Sequence, residues 1–397
     1  MKRITFLIAL TATVATVFAQ DHEKKEAYRF ADKETVETTP VKNQYRSGTC
    51  WTFGTASFIE SELLRMNKGL YDISEMFFVR NAYHDHAKSY VRFHGKINFT
   101  GGAEGWDVMN VVRKYGLVTE KAYRGIGYGE EKHVHGEMDY LLKTYVDAVI
   151  ENKNKKLSPV WIKAFDGILD AYLGDYPYRF DFDGEEYSPT SFRDKLNFNA
   201  DDYIALTSFI HQPFYESYIF ESPDNWSYGS IYNVPLDDLI ETIDYAIKNG
   251  YSVVWSSDIS EKGFQYRKGI AVVPDEKSEE IDGLEQAKWE EMSDREKKKL
   301  VYSFEHLVPE KEITPELRQQ AFDNYETTDD HLMHIIGLAA DQHGNKYYKV
   351  KNSWGTEGSR FDGYFYASEA FVRYKTMSIM LHKEALKKVI SKKINIK

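Results

Sequence analysis

Downstream of residue 50, apolar side chains recur every three to four positions. Ala56, Ile59, Leu63 and Met66 fall on one side of a helix, Glu60 and Glu62 are set to face water, and Gly69 supplies a stop. Upstream, "NQYRSG" (43–48) consists of turn formers that cannot belong to that helix, so residue 50 stands at or near a helix N-terminus. Farther along, "MDYLLKTYVDAVIENKNKK" and "LSPVWIKAFDGILDAYLGDY" carry amphipathic helical spacing, and "EYSPTSFRDKLNF" predicts a third helix beginning at Ser188-Pro189. Near the C-terminus the pattern alternates: 335–340, 346–351 and 363–367 predict consecutive antiparallel strands. The chain closes with "HKEALKKVISKKINIK", a short basic amphipathic helix and an extended end. The highly charged run 276–301 predicts a solvated helix or excursion.

The first residues follow a different pattern. Lys2 and Arg3 precede an apolar run over 4–18, which ends in Val17-Phe18-Ala19, a small-x-small cleavage signature. Residues 1–19 are therefore expected to be a secretory signal cleaved near Ala19, which makes the protein exported, periplasmic or secreted. Its loss takes the net charge from −11 to −13. An acidic chain without a basic stripe argues against nucleic acid or anionic membrane as partner, and no other segment is apolar enough to span a bilayer.

Export sharpens the meaning of the single cysteine, Cys50. It has no intramolecular disulfide partner, so it is either buried or used. Taken alone, burial is the commoner fate of a free cysteine. Its place at a helix start favours use, because the helix dipole and the free first-turn N–H groups lower a thiol pKa. Gly48 allows close backbone approach, as an oxyanion site built of N–H groups needs. An acid/base partner is available near the C-terminus: His331 enters the first of the three strands, Asn352 closes the second, and Trp354 follows. An amide oxygen on one imidazole nitrogen leaves the other to face a thiolate.

Gln44, Cys50 and Trp51, then His331 with Met333, then Lys351-Asn352-Ser353-Trp354-Gly355, resemble in order the motifs of the papain superfamily of cysteine peptidases. The match of Gln44, Ser47, Gly48, Cys50 and Trp51 is similar to the bleomycin hydrolase and aminopeptidase C branch. So are "ISEMFFVRNAY", "GGAEGWDVMNVVRKYGLV" and "PLDDLIETIDYAIKNGYSVVWSSDI". The resemblance implies an α+β, two-lobed fold: a helical lobe (41–128) with the cysteine, and an antiparallel β-barrel lobe (235–384) with the histidine and asparagine. A mostly helical insertion (129–234) separates them, flanked by a leader (20–40) and a tail (385–397). It implies Cys50 as nucleophile, His331 as base and acid, Asn352 as its orienting group, and Gln44 as oxyanion donor. Trp51, Gly101, Gly102 and Trp354 would line the substrate cleft. No metal or cofactor is implied. The partners would be peptide substrates, with a homo-hexamer possible, and in this branch the tail lies in the cleft and limits the enzyme to N-terminal trimming.

Several side chains compete for a role. His334 lies three residues past His331 and points to the other strand face. His84-x-His86 and His133-x-His135 lack the carboxylate or cysteine spacing of a metal site and are expected at the solvated surface. The aromatic stretch 210–220 is expected to pack the insertion on the core. An endopeptidase and a non-enzymatic peptide-binding relative stand as alternatives. The complete set of Cys50, His331, Asn352 and Gln44 counts against the second.

Overall fold

The computed structural model describes residues 28–154, 156–276 and 292–396. The expected signal lies outside them, as does most of the charged run. Of that run, Asp294–Val301 is a helix, closed at its start by a reciprocal Ser293–Glu296 capping box.

Strand β1 (Phe30–Thr35) leads to helix α1 (Cys50–Arg65), then α2 (Glu75–Arg92) and α3 (Gly105–Tyr115). Helices α4 (Gly136–Ile150) and α5 (Trp161–Leu173) follow the two predicted amphipathic stretches. A hairpin of β2 (Phe180–Phe182) and β3 (Glu185–Tyr187) precedes α6 (Pro189–Leu196), whose Ser188 cap and first-position proline match the predicted start. From there the chain turns to strands: β4 (Tyr203–Thr207), β5 (Ser217–Ile219) and β6 (Ser230–Asn233). Helix α7 (Leu236–Lys248), β7 (Val253–Ser257) and the short β8 (Phe264–Gln265) and β9 (Ile270–Ala271) come next. The last strands are β10 (His331–Asp341), β11 (Lys346–Lys351), β12 (Tyr364–Ser368) and β13 (Thr376–His382).

These strands form one sheet in the order β5-β6-β4-β13-β7-β10-β11-β12-β9-β8, with β1 paired to the far half of β10. The expected antiparallel barrel is corrected here. The sheet is open among the described residues, and it is mixed, since β4 runs parallel to β6 and β9 parallel to β12. The reason lies in β4–β6, which extend the sheet beyond β13 on one side and move its edge outward. The α+β character and the β10–β11–β12 antiparallel succession agree with the sequence.

One apolar core joins α1–α6 and a second fills the space between α7 and the sheet. Helix α1 lies across β10, and its burial is nearly complete: every residue from Trp51 to Leu63 is buried. Glu60 and Glu62, expected to face water, are buried as well. Each has partners that offset the desolvation. Glu60 takes Lys42 Nζ at 3.0 Å, the Ile73 N–H at 2.9 Å and the Thr39 hydroxyl. Glu62 takes Arg65 through two bonds and the Tyr203 hydroxyl at 3.1 Å. Lys42 also reaches Glu75 at 2.7 Å, and Lys351 on β11 donates to the Thr39 carbonyl at 2.7 Å. The segment before α1 is thus held between α1 and β11.

Gly54 is where helix and strand meet. A Cβ there would come within 2.5 Å of a Leu332 methyl and 3.0 Å of the Leu332 carbonyl oxygen. Gly54→Ala should therefore cost about 1–3 kcal/mol through overpacking. Gly167, exposed on α5 with nothing within 4 Å of its Cβ position, should gain roughly 0.5–1 kcal/mol on the same substitution. Urea denaturation of both variants checks the contrast, and equal effects would remove the close-contact argument.

Candidate active site

The turn-forming segment before α1 is pinned to the segment after β11. Asn43 bridges Trp354, the Gln44 N–H donates to the Ser353 carbonyl at 2.8 Å, and the Gly355 N–H donates to the Lys42 carbonyl at 3.0 Å. Because of these bonds, residues more than 300 positions apart share one wall. Gln44 is buried; its Oε1 accepts from Ser353 Oγ at 2.6 Å, and its Nε2 donates one N–H to the Ser47 carbonyl at 2.9 Å. The second N–H of that amide is left for a ligand. Cys50 opens α1, where its own N–H and that of Trp51 precede the first bond of the helix, Thr52 N–H to the Thr49 carbonyl at 3.0 Å.

His331 begins β10, and its Nε2 lies 2.8 Å from Asn352 Oδ1. The Ser353 backbone N–H, which can act only as a donor, reaches the same Oδ1 at 2.8 Å. The amide therefore presents oxygen to the ring, Nε2 carries the proton, and Nδ1 is free to accept one. Trp354 covers the ring, with centroids 4.8 Å apart. His334 faces α1 instead, its Nδ1 2.9 Å from Ser57 Oγ.

A cavity of about 430 Å³ gathers Gln44, Cys50, Gly101, Gly102, His331 and Trp354. Trp51 lines it too, deeply buried, with its Nε1–H holding the Gly101 carbonyl at 2.9 Å. Every residue singled out for the site thus comes to one place. The sequence reading missed the acidic wall: Asp224, Asp329 and Asp330 line the same cavity. The adjacent pair Asp329-Asp330, directly before His331, was a visible signal. Nothing marked Asp224, which lies 107 positions earlier.

Residues 26–164 match the papain family of cysteine proteases, and residues 300–397 match the peptidase C1-like family. The chain is a papain-like cysteine peptidase. Over 96% of its length this peptidase is 21% identical to aminopeptidase G of Lactobacillus delbrueckii subsp. lactis, of which 90% is covered. It is 24% identical over 89% of its length to aminopeptidase C of Listeria innocua, of which 82% is covered. In fold it is similar to the crystal structure of PepW from Lactobacillus rhamnosis HN001, with TM-score 0.69 and 18% identity, covering 94% of this chain and 86% of that one.

Three further expectations are corrected. Three of the paired histidines are buried, and His84 alone keeps a partly exposed ring. His86 is buried, stacked on Trp226 with centroids 4.4 Å apart, and its Nε2 meets the Asn98 carbonyl at 2.7 Å; His84 pairs with Asp166 at 2.6 Å. His133 and His135 are buried where their backbones bond Arg46. The tail does not enter the cleft either: the helix Lys388–Lys393 seats Ile390 and Ile394 in the α7 core, and no described tail residue lines the cavity. Lastly, the Cys50 thiol is not low in pKa. Burial pushes it up to about 12, with the nearby Asp329 and Asp224 charges adding to the rise and the Leu332 and Trp51 N–H groups opposing it. The helix dipole contributes at most ~2 kcal/mol at such a position, about 1.5 pKa units, and burial outweighs it.

Burial likewise lowers His331 to about 4, against the pull of its Asn352 bond. Both directions favour a neutral thiol and a neutral imidazole. A base must be unprotonated to act, so lowering its pKa extends activity toward acid. With an N-blocked peptide, kcat/KM should hold its plateau down to about pH 4 to 5 instead of falling near the ordinary 6.5 of histidine. Iodoacetamide should alkylate Cys50 at pH 6 no faster than cysteine in a short peptide. Fast alkylation, or an acid limb near 6.5, would show that the ion pair forms at rest.

Proposed function

We propose that this peptidase is an aminopeptidase that trims N-terminal residues, with Cys50 as nucleophile, His331 as base and acid, Asn352 as orienting group and Gln44 as oxyanion donor. The observation that carries the catalytic roles is the convergence of Cys50, the His331–Asn352 pair and the Gln44 amide on one cavity. The trimming mode is supported by two relatives named aminopeptidases that align along nearly the whole chain. Cys50 Sγ attacks the scissile carbonyl carbon as its proton passes to His331 Nδ1. The oxyanion takes the free Gln44 N–H and the Cys50 backbone N–H. His331 then gives its proton to the leaving amine as the C–N bond breaks. Water, losing a proton to His331, attacks the thioester, and that proton returns to the thiolate as the acid leaves. Under the same proposal the protein is exported with residues 1–19 removed and assembles as a homo-hexamer. The first part rests on the sequence and the second on the family resemblance.

Cys50→Ala should abolish hydrolysis with the fold retained. His331→Ala should lower kcat by about 100-fold or more, the range for loss of a general base, whereas His334→Ala should act through stability because it faces α1. Turnover of a peptide amide by each variant, beside its denaturation midpoint, separates the cases; near-normal kcat in His331→Ala would overturn the assignment.

The tail's position gives a separate expectation. Ile394→Ala should cost about 2–5 kcal/mol as a core truncation and leave the ratio of free-amine to N-blocked turnover where it was. A shift in that ratio would return the tail to the cleft.

A further inference from the structure

With the tail seated elsewhere, something else must recognise a free amine if this peptidase trims N-termini. The cavity beside Cys50 carries a conspicuous excess of one charge. Asp224, Asp329 and Asp330 line it, and Glu104 stands behind them, only 1% exposed. The charged groups acting most strongly on Asp224 and Glu104 are other carboxylates. Two carboxylates so placed repel each other and lose hydration, a cost that persists unless a ligand of opposite charge completes the site.

The group is built, not incidental. Asp224 Oδ1 accepts from Asn98 Nδ2 at 2.9 Å and from Thr100 Oγ1 at 3.4 Å. Its Oδ2 lies over Gly102, where an added Cβ would come within 2.0 Å of it. Asp329 accepts from Ser222 Oγ at 3.0 Å and from the Ser256 hydroxyl, and Ser222 Oγ in turn accepts the Asp224 N–H at 3.2 Å. The two carboxylates are therefore held in fixed relation by one serine. The buried Glu104 carboxyl stands against Asp329, bonded to it side chain to side chain with its pKa pushed well up by burial and by that carboxylate, and its Oε1 meets no other group. Asp224 comes from the stretch between α6 and α7 and is held against the 98–102 segment of the cleft.

We propose that Asp224, with Asp329 behind it, binds the α-ammonium of the peptide and so makes this chain an aminopeptidase by a side-chain carboxylate. The proposal rests on the trimming mode proposed above. Its chemistry is simple. An α-ammonium offers three donors, and Asp224 Oδ2 is the acceptor left open at the cavity face. Asp224 over Gly102 also occupies the space a longer N-terminal extension would need, so one group both attracts the terminus and stops the chain. Bound ammonium would offset the two carboxylate charges that help hold the Cys50 thiol up, which ties activation of the nucleophile to arrival of the correct substrate. The titratable groups coupled to Asp224 are Asp329, Glu104, Asp107, Tyr83 and the Cys50 thiol, and none of these supplies a positive charge in the substrate's place.

The test is Asp224→Asn, which keeps the size and an oxygen for Asn98. Turnover of Ala-Ala-Ala amide is compared with its N-acetyl form, and with an N-acetyl peptide containing lysine. The ratio of free-amine to N-acetyl kcat/KM should fall by about 30-fold or more, mostly through KM, as for loss of one partner of a buried charge pair. An equal fall for all three peptides would overturn the proposal. A loss confined to the lysine peptide would assign the site to a side-chain cation and overturn it too. Calorimetry of the same peptides on Cys50→Ala, with and without Asp224→Asn, reads the ammonium site without turnover. A wild-type protein that cleaves none of the peptides would sink the catalytic reading, while the calorimetric difference would still decide the role of Asp224.

Discussion

The seating of α1 on β10 is the contact on which the rest of this molecule depends. Gly54 lets the helix approach the Leu332 backbone to within side-chain-free distance. That approach sets how far Cys50, one turn earlier on the helix, stands from His331, one residue earlier on the strand. A nucleophile and its base must sit within hydrogen-bond reach, and a displacement of about 1 Å costs about 100-fold in rate. The tolerance of the site is thus the tolerance of one helix–strand contact. The buried ionic group of Lys42, Glu60 and Glu75, with Lys351 beside it, serves the same end from below, fixing the lead-in segment so that Gln44 meets Ser353. Ion pairs of this kind add little net stability but penalise alternative arrangements, since losing one partner strands a charge in the core.

Burial, more than any single charge, governs the electrostatics of the cleft. It raises the thiol, lowers both His331 and His334, and lifts Asp224 to about 6. Each shift is toward the neutral form, which favours an uncharged Cys50 and His331, while Asp224 at about 6 is still largely ionised at neutral pH beside Asp329. A peptide bringing its own ammonium changes that balance, whereas one without it does not. Specificity and activation then share a physical cause.

The stretch between α3 and α7 is not an appendage. Its helices α4 and α5 share the core of α1–α3, while β4–β6 lengthen the sheet past β13. This is also how Asp224 and Tyr203 come to stand against residues of the first lobe, the former over Gly102 and the latter on Glu62. An inserted segment that completes both the core and the cleft has its sequence constrained from two sides.

Much of this was legible in the chain. The helical and alternating periods located α1, α4, α5, α6 and β10–β12, because side-chain period follows from backbone geometry alone. The order Gln44, Cys50, His331, Asn352 singled out the candidate reacting groups through their resemblance to papain-type motifs, and the fold brings these residues together. What periodicity could not show was which polar faces would be covered. Glu60, Glu62, His86, His133 and His135 read as solvent-facing, and their burial came from elements distant in the chain closing over them. The same holds for the open sheet, for the tail docked on the α7 core, and for the thiol whose helix position argued for a low pKa. Local sequence determined the elements and the reactive groups. Desolvation, and with it the charge state of the site and the acidic wall facing Cys50, is a property of long-range packing and was decided by tertiary structure.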